Sequence, residues 1–233
     1  LESLPIPQRV RNAFPVVYKP LSLDLVIAAG EDLRTNSSPG LDGIPAEVYQ
    51  KWIGLLAPWM LSVFQSFLST GTAPDDWTTA ILNSIPKNLN SEMASEMRPL
   101  ALQNAKLKWI TAIILHQIID VLQQITPPEQ KGFLPKRQMI DHILEARSTW
   151  DRNQNCIFVA IDFSKAYDSI LHPFASAVMK FLGFHACYVK FLVFLMQAPL
   201  VFQVGREVVQ GMTMNPGSGI RQGDPVSPAL SSM

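Results

Sequence analysis

The most restrictive segment of the chain is an unbroken apolar run at 156–161, Cys-Ile-Phe-Val-Ala-Ile, that ends on Asp162. Its length and its β-branched and aromatic content predict a strand covered on both faces rather than a half-solvated one. Such a strand needs neighbours and covering helices, so an all-helical bundle is excluded. The carboxylate at its end would stand at the edge of a sheet, where Mg²⁺ can keep its waters and take up substrate phosphates. An aspartate after a strand can equally cap the next helix, and the run by itself leaves both readings open.

The rest of the pattern is helix-heavy first and strand-richer later. Apolar residues recur at helical spacing over 21–33 behind a capping Ser22, and again from Ala46, with an interruption expected near Pro58 and a close at Gly71. Between them, 36–45 concentrates two glycines and two prolines, which demands a specific loop. β-Branched residues over 78–85 predict a strand, 98–102 reads as extended, and 105–125 and 139–150 read as helices. A helix over about 173–196, a hairpin over 200–209 turning near Gly205, and a Gly/Pro-rich loop over 215–228 complete the expectation of an α+β chain with two subdomains.

With 233 residues, 48% of them hydrophobic, the chain can bury a sizeable core. Nineteen basic and nineteen acidic residues cancel, which excludes a strongly basic nucleic-acid coat but not a local basic groove. Two isolated cysteines, Cys156 and Cys187, make neither a disulfide framework nor a zinc site. The apolar stretch 181–204 carries Lys190 near its middle and reads as core helix followed by strand, not as a membrane span. The first residues lack a signal-peptide pattern, so a secreted location is not expected, and the absence of an initial Met suggests an excerpt.

Three further features carry candidate chemistry. Lys87 and Arg98 sit at the ends of two candidate adjacent strands, where a point charge and a planar fork together suit a triphosphate. The 217–228 loop combines glycines, which allow close backbone approach, with the amide of Gln222. Gln130, Lys131, Gly132 and Phe133, followed by Arg137, form another compact block. Each alone has an ordinary reading as solvated charge or plain loop.

Taken in order, the Ser38–Pro45 stretch SPGLDGIP, Ile85-Pro86-Lys87, Arg98-Pro99-Leu100, the Gln130 block, the Asp162-Phe163-Ser164-Lys165-Ala166-Tyr167-Asp168 segment and the Arg221-Gln222-Gly223-Asp224-Pro225 loop resemble the reverse transcriptases of non-LTR, LINE-type retrotransposons. The resemblance runs from about residue 21 to the end, with group II intron reverse transcriptases more distant. It implies a right-hand polymerase: a helical lead-in over 1–36, helix-rich fingers over 37–155, and an incomplete antiparallel-sheet palm over 156–233. It assigns Asp162 as catalytic carboxylate and metal ligand, and the Phe163 carbonyl as a further ligand. Lys87, Arg98, Phe163, Ala166, Tyr167, Gln222 and Gly223 would bind nucleotide, with Tyr167 as a gate under the sugar. Asp168, after the gate, is read as capping or pairing structurally. The 39–45 and 130–133 loops are read as template-side or fingers-structuring.

The implied reaction joins a primer 3′-hydroxyl to a dNTP on an RNA template, with two Mg²⁺ ions roughly 3.5 to 4 Å apart. The family's aromatic-Ala-Asp-Asp hairpin is not in the sequence, whose one Asp-Asp pair is Asp75-Asp76. The chain is therefore expected to need C-terminal palm and thumb segments of the same polyprotein, and to be inactive by itself. A non-catalytic relic with residual RNA binding is the alternative. An RNA-dependent RNA polymerase, which shares the two-metal palm, is disfavoured by Tyr167 and the 221–225 loop. No membrane partner is expected, and the location, nuclear or cytoplasmic, is left open.

Overall fold

In the computed structural model, which describes residues 18–88, 93, 96–153, 155–204 and 207–232, the first apolar periodicity becomes α1 (Leu23–Glu31). Ser22 caps it as expected, accepting from the Leu25 N–H at 3.2 Å. Gln50 of α2 (Ala46–Lys51) serves its other end, donating to the carbonyls of Glu31 and Leu33 at 2.9 and 2.8 Å. The next helix, α3 (Ile53–Thr70), breaks from α2 at Trp52 and not near Pro58. Pro58 is tolerated inside α3 because the carbonyl it leaves without a donor belongs to Gly54, and both residues are exposed to water. Gly71, with φ of 74°, ends α3 as the sequence requires. α3 is long and apolar enough to cross a membrane by length and composition. In this fold it buries Ala57, Met60, Phe64 and Phe67 in the core.

After the short α4 (Asp75–Thr78), β1 (Ala80–Pro86) and β2 (Met97–Leu102) form an antiparallel hairpin. The chain then enters α5 (Ala105–Ile125), the axis of the core, with Leu107, Trp109, Ile110, Ile113, Ile114, Ile118 and Leu122 fully buried. Trp109 donates its indole N–H to the Val26 carbonyl at 2.8 Å, joining α5 to α1. By contrast, α6 (Met139–Arg152) buries no residue. The helix expected over 173–196 is two, α7 (His172–Phe181) and α8 (Ala186–Gln197), because Gly183 takes φ of 77° and turns the chain. Tyr188 of α8 reaches across the core to Gln117 of α5, donating at 2.7 Å.

β3 (Leu200–Val204) and β4 (Glu207–Met214) pair antiparallel, and the expected turn at Gly205 lies outside the described residues. The sheet order is β2-β1-β3-β4, and β1 pairs with β3 in parallel. The sheet is therefore mixed, correcting the antiparallel expectation. A parallel pair requires a long crossover, and the whole of α5 to α8 lies between β1 and β3. The last element is a short helix, α9 (Ser227–Ser231), where loop was expected.

The 156–161 run is not a strand. It pairs with no segment among the described residues, and Ile157, Val159 and Ile161 are 88%, 75% and 80% exposed. Its composition encodes β propensity, but a strand also needs a neighbour's N–H and C=O groups, and the four-stranded sheet lies elsewhere.

Candidate functional site

Antiparallel register places Ile85 opposite Arg98 and Pro86 opposite Met97, and the Lys87 N–H donates to the Glu96 carbonyl at 2.9 Å. Both cations thus stand at the same end of the β1–β2 hairpin. A second limb is the turn after Asp162, where Lys165 takes a left-handed φ of 53° and its carbonyl accepts from the Ser169 N–H at 2.9 Å. The third limb is the 215–226 loop. It is stitched to the second by Gly219 N–H donating to the Ile170 carbonyl at 2.7 Å, Ile220 N–H to Tyr167 at 3.0 Å, and the buried His172 Nε2 to Gly219 at 2.9 Å.

The three limbs enclose an open cleft of about 740 Å³. Of the residues singled out in the sequence, Lys87, Arg98, Asp162, Phe163 and Gln222 line it. Lys165 and Asp168 line it too, adding a third cation and a second carboxylate that sequence reasoning did not place there. Asp168 does not cap the next helix, whose N-cap is Leu171, and it forms no ion pair among the described residues. The signal was present as a charged residue at every third position, 162, 165 and 168, but only the tight turn shows that all three face one space.

Ala166, Tyr167 and Gly223 do not line this cleft. Tyr167 is half-buried and packs against the main core, while Ala166 is exposed. Gly223 lines a separate cavity of about 720 Å³ beside β2, together with Ser38, Pro39, Leu100, Gln103 and Lys108. Its φ of 106°, and the 3.1 Å that would separate an added Cβ from the Ala101 carbonyl, explain why glycine stands there. Neighbouring residues Gln222 and Gly223 therefore face different cavities.

Burial pushes the Asp224 carboxyl above the ordinary carboxylate range, opposed by the Val226 N–H, Gln103, Arg221 and Thr111. Burial likewise lowers Arg221 to about 10 and lowers Lys108, with Asp224 opposing both shifts. The buried Gln103 amide makes no hydrogen bond of ordinary geometry among the described residues, although its proximity steadies the Asp224 carboxylate.

The two loops read as template-side or structural both have structural roles. Asp42 donates its N–H to the Asn104 side chain at 3.2 Å and accepts from the Ile44 N–H at 3.0 Å, fixing the 36–45 loop on the start of α5. Arg137 spends its guanidinium on the carbonyls of Gln123, Thr126, Pro127 and Gln130, closing the end of α5. Ser37, Ser38 and Pro39 nonetheless line the second cavity, so that loop also offers surface to a ligand.

No group of three or more His, Cys, Asp or Glu side chains converges among the described residues. Two carboxylates, Asp162 and Asp168, stand on the cleft wall.

Compared with known proteins, residues 85–233 match the family described as reverse transcriptase (RNA-dependent DNA polymerase). The chain is 25% identical over 219 residues to the transposon TX1 uncharacterized 149 kDa protein of Xenopus laevis, covering 92% of this chain and 17% of that one. It is 26% identical over 215 residues to the Retrovirus-related Pol polyprotein from type-2 retrotransposable element R2DM of Drosophila melanogaster, covering 86% of this chain and 19% of that one. The Pol polyprotein from type-1 retrotransposable element R2 of Popillia japonica is 23% identical, with 91% and 29% covered. The chain thus spans less than a third of the length of these relatives.

Proposed function

Since the chain belongs to the reverse transcriptase (RNA-dependent DNA polymerase) family, as a domain of the non-LTR retrotransposon type, we propose that its cleft binds the triphosphate of an incoming dNTP beside Asp162. One observation carries this reading: Lys87, Arg98, Asp162 and Gln222, far apart in sequence, line a single cleft. Lys87 and Arg98 would hold phosphate oxygens, as a point charge and as a planar fork. Lys165 would add a third positive charge from the opposite limb, and Gln222 an amide donor and acceptor. The RNA template and DNA primer would approach from the same side, with the fingers at 37–155 and part of the palm at 156–233.

The family uses divalent metal ions, whose chemistry is to clamp the attacking and leaving oxygens. Asp162 and the Phe163 carbonyl would be ligands, but the described residues do not complete such a centre. What these residues do is bind and orient. The 233-residue chain alone is accordingly expected not to extend a primer on an RNA template. Robust Mg²⁺-dependent extension that vanishes in Asp162→Ala would overturn that expectation.

The binding reading is tested by calorimetric titration of the purified chain with dTTP. Lys87→Met and Arg98→Met should each weaken binding by about tenfold or more, the usual consequence of losing a charge-assisted phosphate contact. Unchanged affinity in both variants would remove the cleft as the nucleotide site. A chain that binds single-stranded RNA but no dTTP would instead match a non-catalytic retroelement remnant.

A further inference from the structure

We propose that Arg221 is a positioning residue whose buried guanidinium fixes the backbone that presents Gln222 to the cleft, so that it acts on nucleotide binding only through Gln222; the second half of this statement rests on the nucleotide reading of the cleft.

Arg221 is 7% exposed, an unusual place for a guanidinium. It donates through one terminal nitrogen to the Thr78 carbonyl at 2.7 Å and through the other to the Ala198 and Pro199 carbonyls at 2.6 and 3.3 Å. These carbonyls lie just before β1 and β3, the two strands that run in parallel from Ala80 and Leu200. The side chain therefore ties together the entry points of the sheet's parallel pair. A planar fork can serve carbonyls on two separate segments at once, which a lysine ammonium on its flexible stem does poorly.

The neighbouring backbone shows what this anchoring achieves. The Gln222 carbonyl accepts from the Ala101 N–H of β2 at 3.1 Å, and Gly223 lies flush against the Ala101 carbonyl. With Arg221 directed to the sheet ends and Gly223 against β2, Gln222 is the residue of the three that lines the cleft. Its position is thus set from both sides, by the buried Arg221 side chain before it and by the main-chain contacts of Gln222 and Gly223 with Ala101. The sequence motif contained Arg221, but nothing in residue type alone distinguished an arginine that touches nucleotide from one that holds its neighbour.

The test uses the 233-residue chain, Arg221→Lys, Gln222→Ala and the double variant, with two measurements. Hydrogen exchange reads the Ala101 amide against the amides of α5. Titration with dTTP reads the cleft. In Arg221→Lys the Ala101 amide should lose protection while the α5 amides keep theirs, and dTTP affinity should fall about tenfold, within the range expected of a misplaced binding group. In the Gln222→Ala background the same substitution should produce no further loss, the signature of two residues acting as one. The proposal is overturned if the Ala101 amide stays protected, if the α5 amides open with it, or if the affinity losses multiply. Should the wild-type chain fail to bind dTTP, the cleft reading falls by itself and takes the nucleotide half of the proposal with it. The exchange measurement then decides the anchoring half.

Discussion

Asp224 is an acid whose burial outweighs four groups that favour its charge. The folded chain therefore holds its proton more tightly than the unfolded chain does. The contribution of this one group to stability should be fully present below the unfolded value of about 3.9 and should be lost as pH rises through the raised folded value. Asp224→Asn keeps an oxygen acceptor for the Val226 N–H, now at 2.9 Å, without the ionisation. The melting temperature of the variant relative to wild type should accordingly increase between about pH 4 and pH 7. A difference that does not change with pH would exclude desolvation of this carboxyl as a source of instability. Arg137 makes the opposite case, a charge spent on four main-chain carbonyls at the end of α5. Arg137→Met should cost about 2 kcal/mol in chemical denaturation, as the loss of charged hydrogen bonds to main-chain carbonyls does. It should leave dTTP binding unchanged, and a selective loss of RNA binding with no loss of stability would restore the template-contact reading of that block.

Among the elements, those whose limits are set by local chemistry were legible in the sequence. Ser22 and Gly71 mark helix ends through their own side chain or backbone freedom, and α5 spans the expected 105–125 because its apolar stripe is unbroken. Pro58 misled because the penalty for a proline in a helix depends on whether the freed carbonyl is wet, which sequence does not reveal. The cleft was legible in parts: Lys87, Arg98, Asp162, Phe163 and Gln222 followed from the motifs, whereas Lys165 and Asp168 needed the turn geometry. The 36–45 stretch, read as a specific loop, holds a glycine at a point of close approach. A Cβ on Gly40 would collide with the side-chain oxygen and the backbone nitrogen of Asn104. The helix start cannot yield to it without losing the Asn104 contacts to Asp42 and Asp76. Gly40→Ala should therefore lower stability by about 1–3 kcal/mol, read as a shifted urea midpoint at constant slope. Wild-type stability in that variant would mean that the loop is free to lift from α5.

Across the whole molecule, the core and the unburied apolar surface are separated. The buried residues of α1, α3, α5 and α8 form one continuous cluster, while α6 contributes none and exposes Met139, Ile143, Leu144 and Trp150. The 157–163 run lies alongside, with Phe158 and Trp150 in ring contact at 5.9 Å between centroids. Exposed apolar side chains of this number, joined at the Trp150–Phe158 contact, are of a kind that drives self-association in isolated domains. The backbone over 157–161 joins no ladder among the described residues, which adds the hazard of an open sheet edge. The sequence predicts a sheet strand here, covered on both faces, whereas the segment lies outside the four-stranded sheet. Because Val159 is 75% exposed and packs in neither core cluster, Val159→Lys removes apolar surface without removing core. It should leave the melting temperature within about 0.5 kcal/mol equivalent of wild type, as surface changes do. At the same time it should reduce light scattering and dye binding at concentrations where the wild-type chain associates. If Val159→Lys instead unfolds the chain, the run is part of the core; if association is unchanged while folding is intact, the sticky surface lies at the start of α3, where Trp52, Leu55 and Trp59 are also exposed.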